Sequence, residues 1–360
     1  MQTLPVQPAA PSANQSTLYS LGFFMPWCFA MIPFFTLGSP LAGLLGLGSF
    51  AFIAFLELIL PPALANVSTE RETASRWIYP VVLRGYVPIQ AALLGYALWL
   101  APSLSGVALW GGAAAVGVVT GSLGITFAHE LGHRRSRIDR TLAHGLMASV
   151  GYGQFMVEHY HAHHDKVATL GDHATSRRGE SIYAFWWRTI PGQFNSAWAL
   201  EKARLGSGWN LRNAVLLHAA WAVVLPLILW ASLGANAALF WLIQAVHAIL
   251  LLESVNYIEH YGLLRKTTAS GAPERVDSQH SWNTYARPTN WLLVHLQRHA
   301  DHHHYHGRPY SLLRAIRPAP ELPTGYSGSL LLAFVPLAWF AVMHPRLDAL
   351  NSVVPASNTD

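Results

Sequence analysis

The chain alternates long apolar runs with polar stretches, and the runs have the length of membrane-spanning helices. Such a helix needs about 20 apolar residues to cross about 30 Å of hydrocarbon. The third run carries Arg84 near its start, from where its side chain can reach the headgroups. Six runs qualify: 18–37, 41–60, 81–100, 107–128, 214–233 and 237–255. The pattern predicts an all-α membrane protein with six transmembrane helices.

The joints between these runs differ sharply in charge. Three short joints, at 38–40, 101–106 and 234–236, contain no Lys or Arg, and all 23 basic residues lie toward the other ends of the helices. Because cytoplasmic loops collect basic residues, both termini and the long segments 129–212 and 256–327 are predicted to be cytoplasmic.

The remaining segments complete a single-domain prediction. Residues 1–16 are expected to form a disordered tail, 17–348 one membrane-embedded domain, and 349–360 a C-terminal tail. The apolar run 330–342 is too short to span and contains Pro336, so it is expected to be interfacial or re-entrant. Gly117 and Gly121 have the spacing of a close helix–helix contact.

Composition supports a membrane protein. Hydrophobic residues make up 52% of the 360 residues and charged residues 11%, against about 25% charged residues in soluble domains. The net charge of +5 follows the topology, so we expect no nucleic-acid binding. The single cysteine, Cys28, excludes an intrachain disulfide and a cysteine-held cluster, and is expected to be buried.

The chemistry is concentrated in histidines. Of 19 histidines, most lie in four clusters, HELGHRR (129–135), EHYHAHH (158–164), NYIEHYGL (256–263) and LQRHADHHH (296–304). Residues four apart share a helix face, so His129 with His133, and His159 with His163, can each approach one metal ion. Imidazole suits iron, zinc or copper. The predicted ligands, too many for one ion, are His129, His133, His159, His163, His164, His260, His299, His302 and His303.

Polar residues interleave these clusters. Ligating histidines usually donate their second N–H to an oxygen acceptor, and the candidates for that role are Glu130, Glu158, Asp165, Asn256, Glu259 and Asp301. For each carboxylate, the alternative remains open that it is an exposed acidic residue whose charge balances that of a nearby Arg. His218 and His247, inside predicted helices, are expected to form interhelical hydrogen bonds, and His173 and His304 are spare donors.

Taken together, these four histidine clusters resemble, in order and spacing, the histidine boxes of the integral-membrane alkane 1-monooxygenases, within the membrane desaturase and hydroxylase superfamily. HSWN at 280–283, LPTGY at 322–326 and the segment 167–185 extend the resemblance from about residue 77 to 348. Arg134, Ala162 and His173 depart from the family pattern, and His173 affects the shape of its loop. ELILPPAL at 57–64 is more similar to xylene monooxygenases.

The resemblance implies a fold and an activity. Six transmembrane helices in a bacterial inner membrane would carry a cytoplasmic catalytic region, in which the nine histidines bind two irons. With dioxygen and electrons from rubredoxin, itself reduced by rubredoxin reductase, the enzyme would convert the terminal methyl of an n-alkane to a primary alcohol. No catalytic side chain beyond the metal ligands is expected.

Two further sets of residues follow from this implied activity. An alkane has no polar group, so a narrow apolar channel must select it by shape. The candidate residues that line or close this channel are Phe52, Phe55, Trp241 and His247. Rubredoxins are acidic, so they would dock on basic residues. The candidates are Arg134, Arg135, Arg177, Arg178 and Arg298, with Arg137 and Arg308 nearby.

Alternatives remain open at this point. The same histidine clusters would also suit an enzyme that hydroxylates the methyl groups of xylene and other alkylbenzenes, a fatty acid ω-hydroxylase or a desaturase. A histidine-rich metal transporter is a different class of function. Transporters place ligands near the bilayer midplane, whereas these clusters follow helix ends.

Overall fold

The computed structural model describes residues 19–66 and 77–353. This part of the chain is helical and forms no β-strand, apart from isolated bridges between Thr267 and Pro273 and between Asn283 and Glu321. Its helices long and apolar enough to cross a membrane are Tyr19–Thr36, Ala42–Ile59, Ile78–Ser103, Gly106–Gly132, Ala214–Leu233 and Ala235–His260. The prediction of six spanning helices is confirmed.

The first four spans contain five α-helices. A 3₁₀ turn at Gly22–Phe24 leads into the first. The helices are α1 (Met25–Thr36), α2 (Ala42–Ile59), α3 (Ile78–Leu100), α4 (Gly106–Val119) and α5 (Ile125–Gly132). A π turn, Thr120–Gly124, joins α4 to α5 within the fourth span.

Ten further helices follow. Between the fourth and fifth spans lie α6 (Arg137–Ser149), α7 (Gln154–Glu158), a π turn (His159–His163), α8 (His164–Lys166) and α9 (Ile182–Leu205). The last two spans and the segments after them are α10 (Ala214–Leu233), α11 (Ala235–His260), α12 (Arg287–Leu292), α13 (His299–His304), α14 (Tyr326–Ala333) and α15 (Pro336–Val353).

Most helix boundaries agree with the apolar runs. The sixth span is longer than its run, because α11 continues beyond residue 255 to His260. The run 330–342 forms α14 and the start of α15, which are bent by 120° to each other. The predicted tail from 349 is still helical up to Val353, while residues 1–16 and 354–360 lie outside the described residues.

The fourth span is the centre of the bundle, and small residues bring its neighbours close. A Cβ on Gly117 would lie 2.7 Å from the Gln244 carbonyl oxygen of α11, and a Cβ on Gly121 2.7 Å from the Cα of Ala248. These contacts agree with the helix packing expected from the glycine spacing.

Helix α6 enters the bundle instead of staying outside it. It begins after Ser136, whose hydroxyl accepts a hydrogen bond from the Asp139 N–H. At its other end the Ser149 carbonyl accepts hydrogen bonds from Trp241 Nε1 (2.9 Å) and Gln244 Nε2 (3.0 Å) of α11. The prediction that all of 129–212 lies beyond the spans is therefore wrong for the end of α6, because polar side chains inside the bundle satisfy its terminal carbonyls.

One prediction about a side chain in the spans is also wrong. Cys28 is exposed on the outer face of α1, where lipid is as compatible with a thiol as a protein core is. Arg84 keeps about half of its side chain exposed, and its Nε donates to Asp139 Oδ1 of α6 at 2.7 Å.

A glycine-to-alanine pair tests the central packing. Gly117→Ala should destabilise the protein by about 1–3 kcal/mol, because its methyl group would meet α11. Gly95→Ala in α3 is the matched control, since no atom lies within 4 Å of its Cβ position and alanine favours the helix. Thermal denaturation in detergent measures both, and equal melting temperatures would contradict the close contact.

Candidate metal centre and substrate cavity

The nine predicted histidines converge at one end of the bundle and divide into two groups. The ligand nitrogens within each group all lie within 4.8 Å of one another. The five-histidine group comprises His129, His133, His159, His164 and His302. The four-histidine group comprises His163, His260, His299 and His303.

The five-histidine group is assembled from four helical segments. His129 lies on the last turn of the fourth span and His133 directly after it, His159 lies on the π turn, His164 on α8 and His302 on α13. His164 Nε2 lies 3.0 Å from His159 Nε2 and 3.3 Å from His133 Nε2. On the other side of the group, His129 Nε2 and His302 Nε2 are 3.1 Å apart.

The four-histidine group lies beside it. His299 Nε2 is 3.1 Å from His260 Nε2 and 3.0 Å from His303 Nε2. His163 packs its ring against the rings of His260 and His303 at 4.9 Å between centroids. All four residues are buried.

The π turn changes which histidines of the cluster at 158–164 belong to the same group. His159 and His163 are four apart and were predicted to share an ion, but the structure places them in different groups. A π turn repeats at about i+5, so His159 instead pairs with His164. His129 with His133 and His299 with His303 keep the i+4 spacing of an α-helix.

The spacing of the nitrogens fits metal ions. Two nitrogens about 2.1 Å from one ion and at right angles to each other are about 3.0 Å apart. Where imidazole nitrogens meet at 3.0–3.4 Å, they cannot all donate hydrogen bonds to one another. His163 Nε2 is buried with no hydrogen-bond partner. Each group can therefore hold a cation.

Burial keeps most of these rings neutral. It lowers the pKa of His133, His159, His164, His299, His302 and His303 below the ordinary histidine range. A neutral ring retains the lone pair that a metal requires.

His163 is the exception among the described ring titrations, because a carboxylate faces it. Burial lowers the pKa of His163, but Asp172 outweighs this and raises it overall. The His163 Nδ1–H donates to Asp172 Oδ2 at 3.0 Å. Burial would raise the pKa of Asp172, but His163 and the Thr175 hydroxyl lower it to about 2. The bond leaves the lone pair of His163 at Nε2.

Sequence reasoning missed Asp172. It lies nine residues after His163, on a loop that no periodicity describes. The available signal was the string GDHAT at 171–175, inside the segment that resembles the alkane hydroxylases. His173 is only partly buried, beside Gly192, and His304 is exposed. The additional ring near the centre is His306, 5.2 Å from the His164 ring.

Of the six residues predicted to support the ligands, Glu259 contacts a histidine ring, but at the nitrogen that faces the other histidines and not at the second ring nitrogen. Its Oε2 lies 3.3 Å from His299 Nε2, and its Oε1 accepts a hydrogen bond from the Tyr326 hydroxyl. Glu158 is buried next to both groups, and burial together with Asp172 raises its pKa to about 8.

The other four residues have different partners. Glu130 binds Arg134 and accepts from the Tyr310 N–H, and Asn256 donates to Glu253. Asp301 pairs with Arg308 and Arg314, and Asp165 is exposed. In the part of the chain that the structure describes, these four side chains therefore bind other partners or lie on the surface, in place of the expected hydrogen bonds to ligating histidines.

A cavity runs from the metal centre into the bundle. It is narrow, with a volume of about 60 Å³, and His129, His159 and His299 form one end of it. Its walls are mostly apolar, and Ile53 and Leu251 are typical members. The cavity is therefore an apolar space that borders members of both histidine groups.

A smaller crevice continues the cavity between α1, α2 and α4. Phe29, Ser49 and Val118 line both spaces and stand between them. Beyond them the helices close, because a Cβ on Gly43 would lie 2.7 Å from the Cα of Gly111.

The four predicted channel residues do not line this cavity. Phe52 and Phe55 are 61% and 56% exposed on the outer face of α2. Trp241 is buried, but it donates to the Ser149 carbonyl. His247 is exposed and binds the Ile243 carbonyl of its own helix. The residues of α2 that line the cavity are instead Ser49, Phe50 and Ile53, which lie on another face of the helix.

His218 forms the interhelical hydrogen bond that was predicted for it, with His144 at 3.2 Å.

The arginines predicted to bind a partner divide into three cases. Arg298 is buried and donates to the carbonyls of Ala63 and Leu313, so its predicted surface role is wrong. Arg178 is exposed but paired with Asp348, and Arg134 with Glu130. Arg135 and Arg177 are exposed.

Comparison with known proteins places the chain in a family. A family model described as fatty acid desaturase matches residues 104–331. An alkane 1-monooxygenase from Pseudomonas putida is 42% identical over 275 residues, which cover 75% of this chain and 68% of that protein. Alkane 1-monooxygenase 2 from Pseudomonas aeruginosa is 37% identical over 313 residues, covering 83% and 82%. The chain belongs to the alkane 1-monooxygenases of the fatty acid desaturase family.

The family assignment confirms the resemblance found in the histidine boxes. A more distant relative, a xylene/toluene monooxygenase hydroxylase component from Pseudomonas putida, is 29% identical over 224 residues, covering 61% of this chain and 59% of that protein. The chain is thus a multi-pass membrane member of the family with two histidine groups able to hold metal.

Asp172 provides a test of the centre in this alkane 1-monooxygenase family member. Asp172→Asn should weaken metal binding about 10–100-fold, because an acceptor behind a metal-binding histidine fixes its tautomer. Metal retained during dialysis against a graded chelator measures this change. Asp165→Asn, on the surface, is the matched control and should retain metal as the wild type does. Equal retention in both variants would show that Asp172 has no part in the site.

Proposed function

We propose that the protein is a non-haem di-iron membrane monooxygenase that converts the terminal methyl of n-alkanes to a primary alcohol. The balance is R–CH₃ + O₂ + 2e⁻ + 2H⁺ → R–CH₂OH + H₂O. The observation that carries the proposal is the pair of buried histidine groups facing one narrow apolar cavity.

The histidine groups would hold the two irons. All-imidazole donors without thiolate suit non-haem iron, and two neighbouring positions suit a two-electron oxygen reaction. When bound, the iron pair would activate dioxygen. The protein residues provide the rest: Asp172 orients His163, Tyr326 orients Glu259, and burial keeps the ligand rings neutral.

The cavity supports an alkane substrate. Its apolar walls offer no charged partner to a headgroup along most of their length, and its narrow shape suits a linear chain inserted end-on. A chain held so would present its terminal methyl to the end formed by His129, His159 and His299. Shape would then decide which carbon reacts, and the surrounding side chains would keep water away.

The electron donor and the location follow from the resemblance and the charge distribution. Rubredoxin, reduced by rubredoxin reductase, would supply the electrons. The absence of Lys and Arg from the short joints supports a bacterial inner-membrane protein with both termini and the metal centre on the cytoplasmic side.

Related activities are the principal rivals. The 29% identity to the xylene/toluene enzyme component, against 42% to the alkane enzyme, favours an alkane over an alkylbenzene. A fatty acid ω-hydroxylase would need a cationic group for the carboxylate, and none is among the residues lining the cavity. A metal transporter would not need an apolar cavity that leads to its histidines.

Product analysis tests the proposed activity. Purified protein with rubredoxin, its reductase and a series of n-alkanes should yield 1-alkanols, because the cavity admits a chain end-on. His302→Ala and His303→Ala should each lose iron and alcohol formation. His304→Ala, the exposed neighbour, should retain both. Alkenes without alcohol would support a desaturase, and full activity without His302 or His303 would overturn the di-iron assignment.

The residues between the cavity and the crevice should set chain length. Phe29→Ala joins the two spaces, so the ratio of hexadecanol to octanol formed in competition should rise about tenfold, the effect of roughly one or two methylenes in an apolar pocket. Ser49→Phe should lower the same ratio. Phe52→Ala, on the outer face of α2, is the control. If Phe52→Ala shifts the ratio and Phe29→Ala does not, the cavity is not the substrate site.

A further inference from the structure

Several of the buried acidic side chains in this protein are neutralised by an arginine. In the described part of the chain, the buried acids that bind an arginine are Glu130, Asp139, Glu201 and Asp301. The buried acids that form no ion pair with Lys or Arg there are Glu57, Glu158, Asp172, Glu253 and Glu259. A buried carboxylate without a positive partner is costly, so each member of this second set needs another source of compensation.

Glu57 is compensated by the end of a helix. The Thr289 hydroxyl donates to its Oε1 at 2.6 Å, and the Gly328 N–H donates to its Oε2 at 3.3 Å. A Cβ on Gly325 would lie 2.0 Å from the carboxyl carbon of Glu57. The carboxyl group therefore lies against the start of α14, where the helix dipole is positive.

Glu253 is separate from the ligands but close to the cavity they border. It lies seven residues before His260 on α11, about 10 Å along the helix. It accepts a hydrogen bond from Asn256, which lines the cavity that ends at the metal centre. The other members of the set adjoin ligating histidines in sequence or by contact, and they are Glu158, Asp172 and Glu259.

The surroundings of Glu253 favour its charged form. The Tyr152 hydroxyl donates to Oε1 at 2.9 Å, and Oε2 accepts from Gln193 Nε2 at 2.8 Å, Asn256 Nδ2 at 3.1 Å and the Thr189 hydroxyl at 3.3 Å. Gln193 turns its amide nitrogen to Glu253 and leaves its own Oε1 with no hydrogen-bond partner in the described residues. Four donors around one carboxyl group stabilise the carboxylate, yet none of them carries a positive charge.

The histidine groups have the opposite need. Imidazole binds a metal ion as a neutral ligand, so nine histidines would leave the positive charge of two bound ions uncompensated inside the protein. Burying a cation is costly unless negative charge lies near it. Inside a protein, unit charges about 10 Å apart still interact appreciably, because little solvent screens them. Glu253 and the ions would thus compensate each other.

We propose that Glu253 is a counter-charge for the two metal ions, a positioning residue whose carboxylate strengthens their binding to neutral histidines and favours their more oxidised state. The proposal rests on the proposed function, since it concerns the two irons of that reaction. Glu253 acts through its charge and needs no contact with either ion. The hydrogen bonds from α9 and from Tyr152 hold the carboxylate in place.

Removing the charge tests the proposal. Glu253→Gln keeps the shape of the side chain, and it should weaken the affinity for Fe²⁺ about tenfold, measured anaerobically in competition with a coloured chelator. It should also disfavour the oxidised form about tenfold, which raises the one-electron midpoint potential by about 59 mV. Because weaker binding stabilises less, iron loading should raise the melting temperature of the variant less than that of the wild type.

A second variant and a rescue separate charge from hydrogen bonding. Gln193→Lys places a cation beside the intact carboxylate, and it should lower iron affinity in the same direction as Glu253→Gln. The double variant Glu253→Gln/Gln193→Glu moves the carboxylate across a 2.8 Å hydrogen bond, so it should restore affinity and midpoint potential. Glu201→Gln is the matched control, because Arg204 already neutralises that acid, and it should change neither quantity.

The outcomes are distinct. Wild-type affinity and potential in Glu253→Gln, or in Gln193→Lys if Glu253→Gln does not fold, would assign Glu253 to hydrogen bonding alone and overturn the proposal. A folded double variant that stays as weak as Glu253→Gln would do the same. Failure of the wild type itself to bind two irons would instead reject the proposed function.

Discussion

Nine imidazole rings packed together away from water impose the constraint on which this structure depends. Their nitrogens approach to 3.0–3.4 Å, and lone pairs that face one another without protons or cations between them are costly to bury. The helices therefore end at a common place, and cations bound there would complete it. The extension of α11 to His260 and the turn after α5 place their rings there.

The two groups share one cavity but have different surroundings. Carboxylates adjoin the four-histidine group through His163 and His299, while the five-histidine group borders solvent at His133. Since negative charge near a cation offsets its burial, cations bound to the two groups would have unequal surroundings even though all nine histidines offer imidazole. The cavity contacts members of both groups, so a bound chain would meet this asymmetry directly.

The length of the apolar runs was enough to predict six spans, because a helix of any sequence needs about the same length to cross a bilayer. Box spacing was enough to predict which histidines gather. Side-chain direction was harder: Phe52 and Phe55 point outward, since all faces of α2 are apolar and nothing in its pattern marks the inner one. Asp172 and the insertion of α6 depend on contacts between residues distant in sequence, such as Gln244 with Ser149, which periodicity does not contain.

Adjacent residues serve different groups at two places, His163 beside His164 and His302 beside His303. Consecutive Cα atoms are held about 3.8 Å apart by a planar peptide, so two covalent tethers on separate helices span the gap between the groups. The main chain therefore links the two groups directly at both places. If each group binds an ion, this linkage would limit how far the two ions could move apart during a reaction.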